Sequence, residues 1–310
     1  MAGLESWTIG KVAITRIVET VWDMPIEGME EAIGSAGVEE CKTGLQWMRP
    51  FYLNDQNEVS GSFHSYLVQT PTKRIVVDTG VGNGRKRAFE GFANYDTDYL
   101  ERFSKVWDPA IVDEVVSTHL HTDHCGWNTK LEDGKWVPTF PNAKYRYVEG
   151  EYESWKSLAA DPGAADLWDP QTWEMIDPTL LLADSIEPPK EAGLVEFIEP
   201  DGVLTPEVRL IPTHGHTAGH VSVLVESGGQ SAVMSGDLVH DAWQVAHPEW
   251  HNPYDLDRPR ASITRTQFLE RFADSPTMVL FSHIGPSPAA FIKRDGDGYL
   301  IVPASEVAAS

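Results

Sequence analysis

Thr118-His119-Leu120-His121-Thr122-Asp123-His124 sets three imidazoles and one carboxylate within six consecutive positions, residues 119–124. Imidazole nitrogen and carboxylate oxygen are ligands that zinc and other first-row divalent ions accept, whereas a buried cluster of this kind without an ion would repel itself on protonation. The chain holds 11 histidines in 310 residues, so this density marks a metal site rather than a polar loop. Val115-Val116-Ser117, just before it, reads as a buried strand. The ligands are therefore expected on a loop at a strand's carboxyl end, where α/β architectures place their sites.

Working outward, the same arrangement recurs. Pro212-Thr213-His214-Gly215-His216-Thr217-Ala218-Gly219-His220 follows a strand-like run, Ser235-Gly236-Asp237 follows another, and His283 comes after the apolar run 278–281. Each group lies where a strand should give way to a loop. A lone histidine is weak evidence for a ligand, but recurrence of the pattern points to one composite site.

β-rich segments are expected at residues 12–18, 63–69, 74–78, 208–212, 221–226 and 231–235, with turn signals between them. Helical spacing predicts helices over 95–106, 149–160 and 264–273. Asp295-Gly296-Asp297-Gly298 between 291–294 and 299–302 predicts a terminal hairpin. Residues 127–190 form a Trp-rich stretch whose Trp127, Trp136, Trp155 and Trp168 are expected to pack or to wall a pocket.

The ordered set Val77-Asp78-Thr79-Gly80, His-x-His-x-Asp-His at 119–124, His-Thr-x-Gly-His at 216–220, Gly236-Asp237 and His283 resembles the metallo-β-lactamase-fold hydrolases over about residues 63–303. That resemblance implies an α/β (α+β) fold, a four-layer αββα sandwich with the site at one edge. The whole chain, 1–310, would be one such domain, with 1–60 as an N-terminal extension carrying no motif and 127–190 as an insertion lining the pocket.

It also implies two divalent ions, zinc first and Mn2+, Fe2+ or Co2+ as alternatives. One would bind His119, His121 and His216, the other Asp123, His124 and His283, with Asp237 bridging. Asp78 would stand behind the ligands, His220 would orient a neighbour through a hydrogen bond, and His214 would be a support or a bystander. Two such ions about 3.5 to 4 Å apart can share a hydroxide at neutral pH, so no Ser, Cys or Lys nucleophile is required. Asp123 would contact that hydroxide. His240, three residues after Asp237, stands where lactonases of this superfamily place a tyrosine, and is the expected proton donor.

The order Gly236-Asp237-Leu238-Val239, Gln244-Val245, Ser282-His283 and the terminal hairpin is similar to the group of methyl parathion hydrolase and the quorum-quenching lactonases. The implied substrate is a small neutral lactone or carboxylic ester, with an organophosphate triester as the alternative on the same site; such members are commonly homodimers. Phe63, His64 and Trp243, near the ligands in sequence, are the expected pocket residues. A persulfide dioxygenase or flavodiiron-like oxidoreductase is the reading from another class. His121 stands where flavodiiron proteins show Glu, and Asp123, His124 and His283 supply the second site that mononuclear dioxygenases do not need.

Bulk composition agrees with a hydrolase of small molecules. With 47 acidic against 24 basic residues the formal charge is -23, which repels nucleic-acid phosphates and anionic membranes. The first twenty residues lack the apolar run of a secretory signal, and no run is long enough to span a bilayer, so a cytoplasmic protein is expected. Cys41 and Cys125 are the only cysteines, too few for a disulfide framework, and Cys125 is expected as a small buried residue behind the metal site.

Overall fold

Successive side chains of a strand face opposite ways, and the valine runs flanking the histidine motif show what each face meets. Val76 and Val115 join Tyr145, Tyr147, Phe103 and Trp155 in one apolar cluster. Their neighbours Ile75, Val77 and Val116 join Val223, Val225, Met234 and Leu280 in another. Strands buried on both faces belong to a sheet covered twice, here by helices and by a second sheet.

The structure is a computed structural model and describes residues 4–161, 163–167 and 170–307. Strands β1 (Ser6–Ile9), β2 (Val12–Pro25), β3 (Glu58–Gln69), β4 (Arg74–Val77) and β5 (Glu114–Val116) are followed by a small hairpin, β6 (Thr129–Glu132) and β7 (Lys135–Pro138), then by β8 (Lys144–Val148) and β9 (Val195–Ile198). The second half contributes β10 (Val203–Thr205), β11 (Val208–Pro212), β12 (Val221–Ser227), β13 (Gln230–Met234), β14 (Met278–Leu280), β15 (Ala289–Asp295) and β16 (Gly298–Pro303). The first sheet has the order β1-β2-β3-β4-β5-β8-β9 and the second β10-β11-β12-β13-β14-β15-β16. Apolar residues of both sheets meet in one central core. Tyr99–Ser104 and Glu149–Ala160 cover the outer face of the first sheet, while Glu30–Thr43 and Arg258–Phe272 cover that of the second. The result is the expected αββα sandwich.

Strand polarity explains why the site lies at one edge. β4 and β5 are parallel, so the segments after them leave together. β11 and β13 each pair antiparallel with β12, and β13 runs parallel to β14, so the ends of β11, β13 and β14 also share an edge. Those five ends carry Asp78, the 119–124 motif, His216, Asp237 and His283. Val221 N–H donates to Thr118 O at 2.9 Å, joining the two halves beside the site.

Several expectations change in detail. The N-terminal extension, 1–60, joins the first sheet, where β2 pairs with β3 along Ala13 to Pro25. The helix expected over 95–106 is confined to Tyr99–Ser104, and that expected over 264–273 starts earlier, at Arg258, where Asp257 caps it by accepting from Arg260 N–H. The terminal hairpin forms, with Asp295 opposite Gly298 and Gly296 at a φ of 57° in the turn. No helix among the described residues is long and apolar enough to cross a membrane.

Candidate metal centre

Four of the five rings in the site, those of His119, His124, His216 and His283, are held from behind by an acceptor that decides where the lone pair points. The Thr118 hydroxyl donates to Asp78 Oδ2 at 2.9 Å, so His119 Nδ1, 3.1 Å from the same hydroxyl, must donate to it. His124 Nδ1 donates to Asp78 Oδ2 at 2.9 Å, His216 Nδ1 to Asp255 Oδ1 at 2.9 Å, and His283 Nδ1 to Ser62 O at 3.3 Å. With Nδ1 protonated in all these rings, every Nε2 carries its lone pair inward.

The inward atoms converge. His121 Nδ1 lies 2.9 Å from both His119 Nε2 and His216 Nε2. His124 Nε2 and His283 Nε2 are 3.1 Å apart, and each is 3.0 Å from Asp237 Oδ1. Asp123 Oδ2 is 3.6 Å from His124 Nε2 and 3.5 Å from His283 Nε2. Ligands about 2.1 Å from a tetrahedral ion stand roughly 3.4 Å from one another, close to these separations. Two groups emerge, His119-His121-His216-Asp237 and Asp123-His124-Asp237-His283, each with its ligand atoms within 4.8 Å. Asp237 belongs to both, and its buried Oδ1 accepts no hydrogen bond. Converging lone pairs and an unsatisfied buried carboxylate oxygen fit a pair of divalent cations.

The titration directions of the protein alone agree. Burial, then neighbouring imidazoles, holds His119 and His121 well below the ordinary histidine value, in the neutral form a metal requires. Burial also opposes charge on His124 and His283, but Asp237 and Asp123 outweigh it and raise both. Burial works against the Asp237 carboxylate too, yet His124, His283 and His240 hold its pKa well below the usual range. A carboxylate that draws protons onto buried imidazoles draws a metal cation by the same field.

Behind these groups lies a brace that the sequence did not reveal. Buried Glu151 accepts from Leu120 N–H at 3.0 Å, Gly219 N–H at 2.7 Å and Trp155 Nε1 at 2.8 Å. One carboxylate therefore ties the 119–124 loop to the 216–220 loop. A Cβ on residue 219 would stand 2.6 Å from Glu151 Cβ, so only glycine permits this approach. Gly236 is needed for a different reason: its φ is 57°, and a Cβ there would lie 2.5 Å from His220 Nε2. His220 accepts from Asp237 N–H at 2.9 Å through Nε2, while its Nδ1 lies 3.0 Å from Thr213 O. It thus orients the backbone of Asp237.

Asp255 is the second partner that the sequence reading missed. Besides His216 it accepts from Arg265 Nη2 at 3.1 Å, and burial is outweighed by His216 and Arg265, which lower its pKa. Asp255→Asn should leave the fold intact but lower metal affinity by about 10- to 100-fold, as loss of a carboxylate behind a ligating histidine does. Competition with a chromophoric chelator measures this; an unchanged affinity would remove Asp255 from the support of His216.

A cavity of about 450 Å³ opens onto the cluster. His121, Asp123, His216, Asp237, His240 and His283 line its floor, and Phe63, as expected, lies on its wall. His64 and Trp243 do not line it. His64 is adjacent to Phe63 on β3 and so faces the other way, with Ser62 and Tyr66, from which its ring lies 3.0 Å and 4.8 Å respectively. Trp243 is fully buried in the outer core and packs against Trp250. Trp127 donates to Glu19 at 2.7 Å, Trp136 stacks over Arg85, and Trp155 lies edge-on to His121; Trp168 lies outside the described residues. From 127–190, Ile176 is the described residue that reaches the cavity, whereas the N-terminal segment supplies Trp22, Asp23, Met24 and Met29.

His240 faces the cavity, its Nε2 3.0 Å from Asp237 Oδ2 but off the line of a hydrogen bond, and neither ring nitrogen has a hydrogen-bond partner in the protein. Burial lowers its pKa to about 4. His214 is half-buried with its carbonyl bound by Thr264 at 2.8 Å, and it joins no ligand group. Cys125 is buried and free, its thiol 3.1 Å from His121 O.

Known proteins share this plan. The solved structure of AidC, a dizinc quorum-quenching lactonase in complex with a product, superposes with a TM-score of 0.77 at 23% identity, covering 97% of each chain. The hydrolase AbOPH gives 0.73 at 24% identity over 98% of each chain. A variant of AiiA from B. thuringiensis, with N-decanoyl-L-homoserine bound at its active site, gives 0.56 at 20% identity, covering 89% of this chain and 94% of that one. A search of the curated proteins gives no match. The sequence model of the metallo-beta-lactamase superfamily matches residues 62–283, from β3 to the last histidine of the site. Spanning more than two thirds of the chain, the match makes this protein a member of the metallo-beta-lactamase superfamily.

Proposed function

We propose that the protein is a dinuclear zinc hydrolase that cleaves a small carboxylic ester or lactone bearing no anionic group. The observation that carries this reading is the pair of ligand groups sharing Asp237 at the floor of a largely apolar cavity. When bound, such an ion pair supplies polarisation of the scissile carbonyl and a water activated at neutral pH.

The chain's own residues do the rest. Asp78, Thr118, Asp255 and Ser62 fix the tautomers of His119, His124, His216 and His283, so these four rings are set before substrate arrives. Phe63 and Phe92, 5.5 Å apart, present an apolar wall beside His283, which suits an acyl or aryl group and excludes water from it. Among the described residues no Lys or Arg lines the cavity, so a carboxylate or phosphate on the substrate would find no basic side chain there. His240 offers a ring N–H to a substrate oxygen. In the reaction water adds across the acyl carbon–oxygen bond, leaving an acid and an alcohol.

A panel of lactones, aryl esters and phosphotriesters, run with an oxygen electrode, tests this reading. Turnover of esters or lactones without oxygen uptake is expected; oxygen consumption with a thiol persulfide would overturn it. His240→Ala is expected to retain both metals while turnover falls about 100-fold, the scale of one lost proton or hydrogen-bond donor. Wild-type turnover in that variant would end the role given to His240.

A further inference from the structure

Asp241 is a buried carboxylate without a partner. It is 8% exposed and lines the cavity, yet among the described residues no side chain or N–H group donates to its oxygens and no Lys, Arg or His lies within ion-pair distance. Its backbone carbonyl accepts from Gln244 N–H at 3.1 Å. A carboxylate so placed, open to the cavity and given no donor by the protein, is left to pair with a ligand. Burial raises its pKa to about 6, with His283 acting against the shift; its charge is also felt by the Cys41 thiol of Glu30–Thr43. The acid stands on the wall of the cavity that opens onto the metal-ligand groups.

The surroundings of Asp241 belong to one kind of ligand. Trp22, Phe63, Phe89, Phe92, Tyr95 and Tyr254 line the same cavity. Phe63, Phe92 and Phe89 form a continuous edge-to-face series, with centroids 5.5 and 5.3 Å apart, that begins 5.5 Å from the His283 ring. Asp23, which is exposed, adds a further carboxylate, and among the described residues no Lys or Arg lines the cavity. A cavity that presents both aromatic rings and an unpaired carboxylate suits organic cations, quaternary ammonium groups in particular. The chain's charge of -23 raises the local concentration of such cations further.

We propose that Asp241 and the aromatic wall form a subsite for an organic cation, so that the ester or lactone cleaved carries an ammonium group several bonds from its carbonyl. The inference rests on the ester or lactone reading of the same site and departs from the neutral substrate implied by the resemblance. Asp241 would pair with the cation, and the aromatic rings would enclose its alkyl groups, while the carbonyl reaches the metal ligands.

The test compares two phenylacetate esters of equal shape, the choline ester and its uncharged carbon isostere, the 3,3-dimethylbutyl ester. Both are assayed with metal-loaded protein in 0.5 M salt, where attraction by distant surface charges is screened. Wild type should favour the choline ester by about tenfold or more in kcat/KM, and Asp241→Asn should bring the ratio close to one. Because both esters are measured on one preparation, a partly unfolded variant does not change the ratio. Calorimetric binding of phenyltrimethylammonium, expected to weaken about tenfold in Asp241→Asn, gives a readout independent of turnover.

Equal kcat/KM for the two esters in wild type would overturn the subsite and leave the ester reading standing. A preference that survives Asp241→Asn would also overturn it. If neither ester is hydrolysed but phenyltrimethylammonium binds in a manner dependent on Asp241, the subsite stands and the ester reading falls. No hydrolysis and no binding would remove both.

Discussion

Asp237→Ala is expected to lower the metal content from about two ions per chain to fewer than one and to reduce turnover by at least about 1,000-fold. The size follows from position. Asp237 is the member shared by both ligand groups, so its loss removes a ligand from each ion and the negative charge between them. His124 and His283 each lose a carboxylate oxygen 3.0 Å away, and five imidazoles within one buried pocket cannot hold two dications with Asp123 alone. Elemental analysis of the purified variant, with circular dichroism as the folding control, reads both effects. A folded Asp237→Ala protein that keeps two metals would contradict the bridging role.

Glu151→Ala is expected to cost about 3–5 kcal/mol of folding stability, although Glu151 touches neither cavity nor ligand atom. Its removal strands the Leu120 and Gly219 N–H groups and the Trp155 indole N–H in a dry interior. No water-sized path replaces a side chain that is 1% exposed. Glu151→Gln retains one acceptor oxygen and should lose about half as much. Urea unfolding should show a lower midpoint with an unchanged slope. The two metal loops should also loosen, so metal affinity is expected to fall in both variants in the same order as stability. An unchanged midpoint in Glu151→Ala would show that the loops are held together by other means.

The candidate ligand groups were legible because their chemistry is rare and their spacing is local. Residues 119–124 identify themselves, and the later groups repeat the same strand-to-loop placement, which reflects five strand ends leaving at one edge. The supports were not legible. Glu151 stands between Glu149 and Glu153 in one helix, and only folding decides which of these carboxylates turns inward; Asp255 is similarly hidden beside Asp257.

The pocket was misread for a geometric reason. Nearness in sequence to a ligand does not set a direction, since adjacent residues of a strand face opposite sides. Phe63 therefore reaches the cavity and His64 does not. After Asp237 the chain turns so that His240 and Asp241 face the cavity while Trp243 enters the core. The wall expected from the Trp-rich stretch is supplied chiefly by the end of β2 and by residues 89–95. Their contribution is a matter of tertiary pairing, β2 against β3, which no local pattern in the first sixty residues announces.

The central claim, a two-metal hydrolytic centre built around Asp237, is tested most directly by returning zinc stepwise to chelator-stripped protein while following turnover of an ester or lactone that the protein accepts. Turnover should rise until two equivalents per chain have been added and then level off. Full turnover at one equivalent would contradict the account.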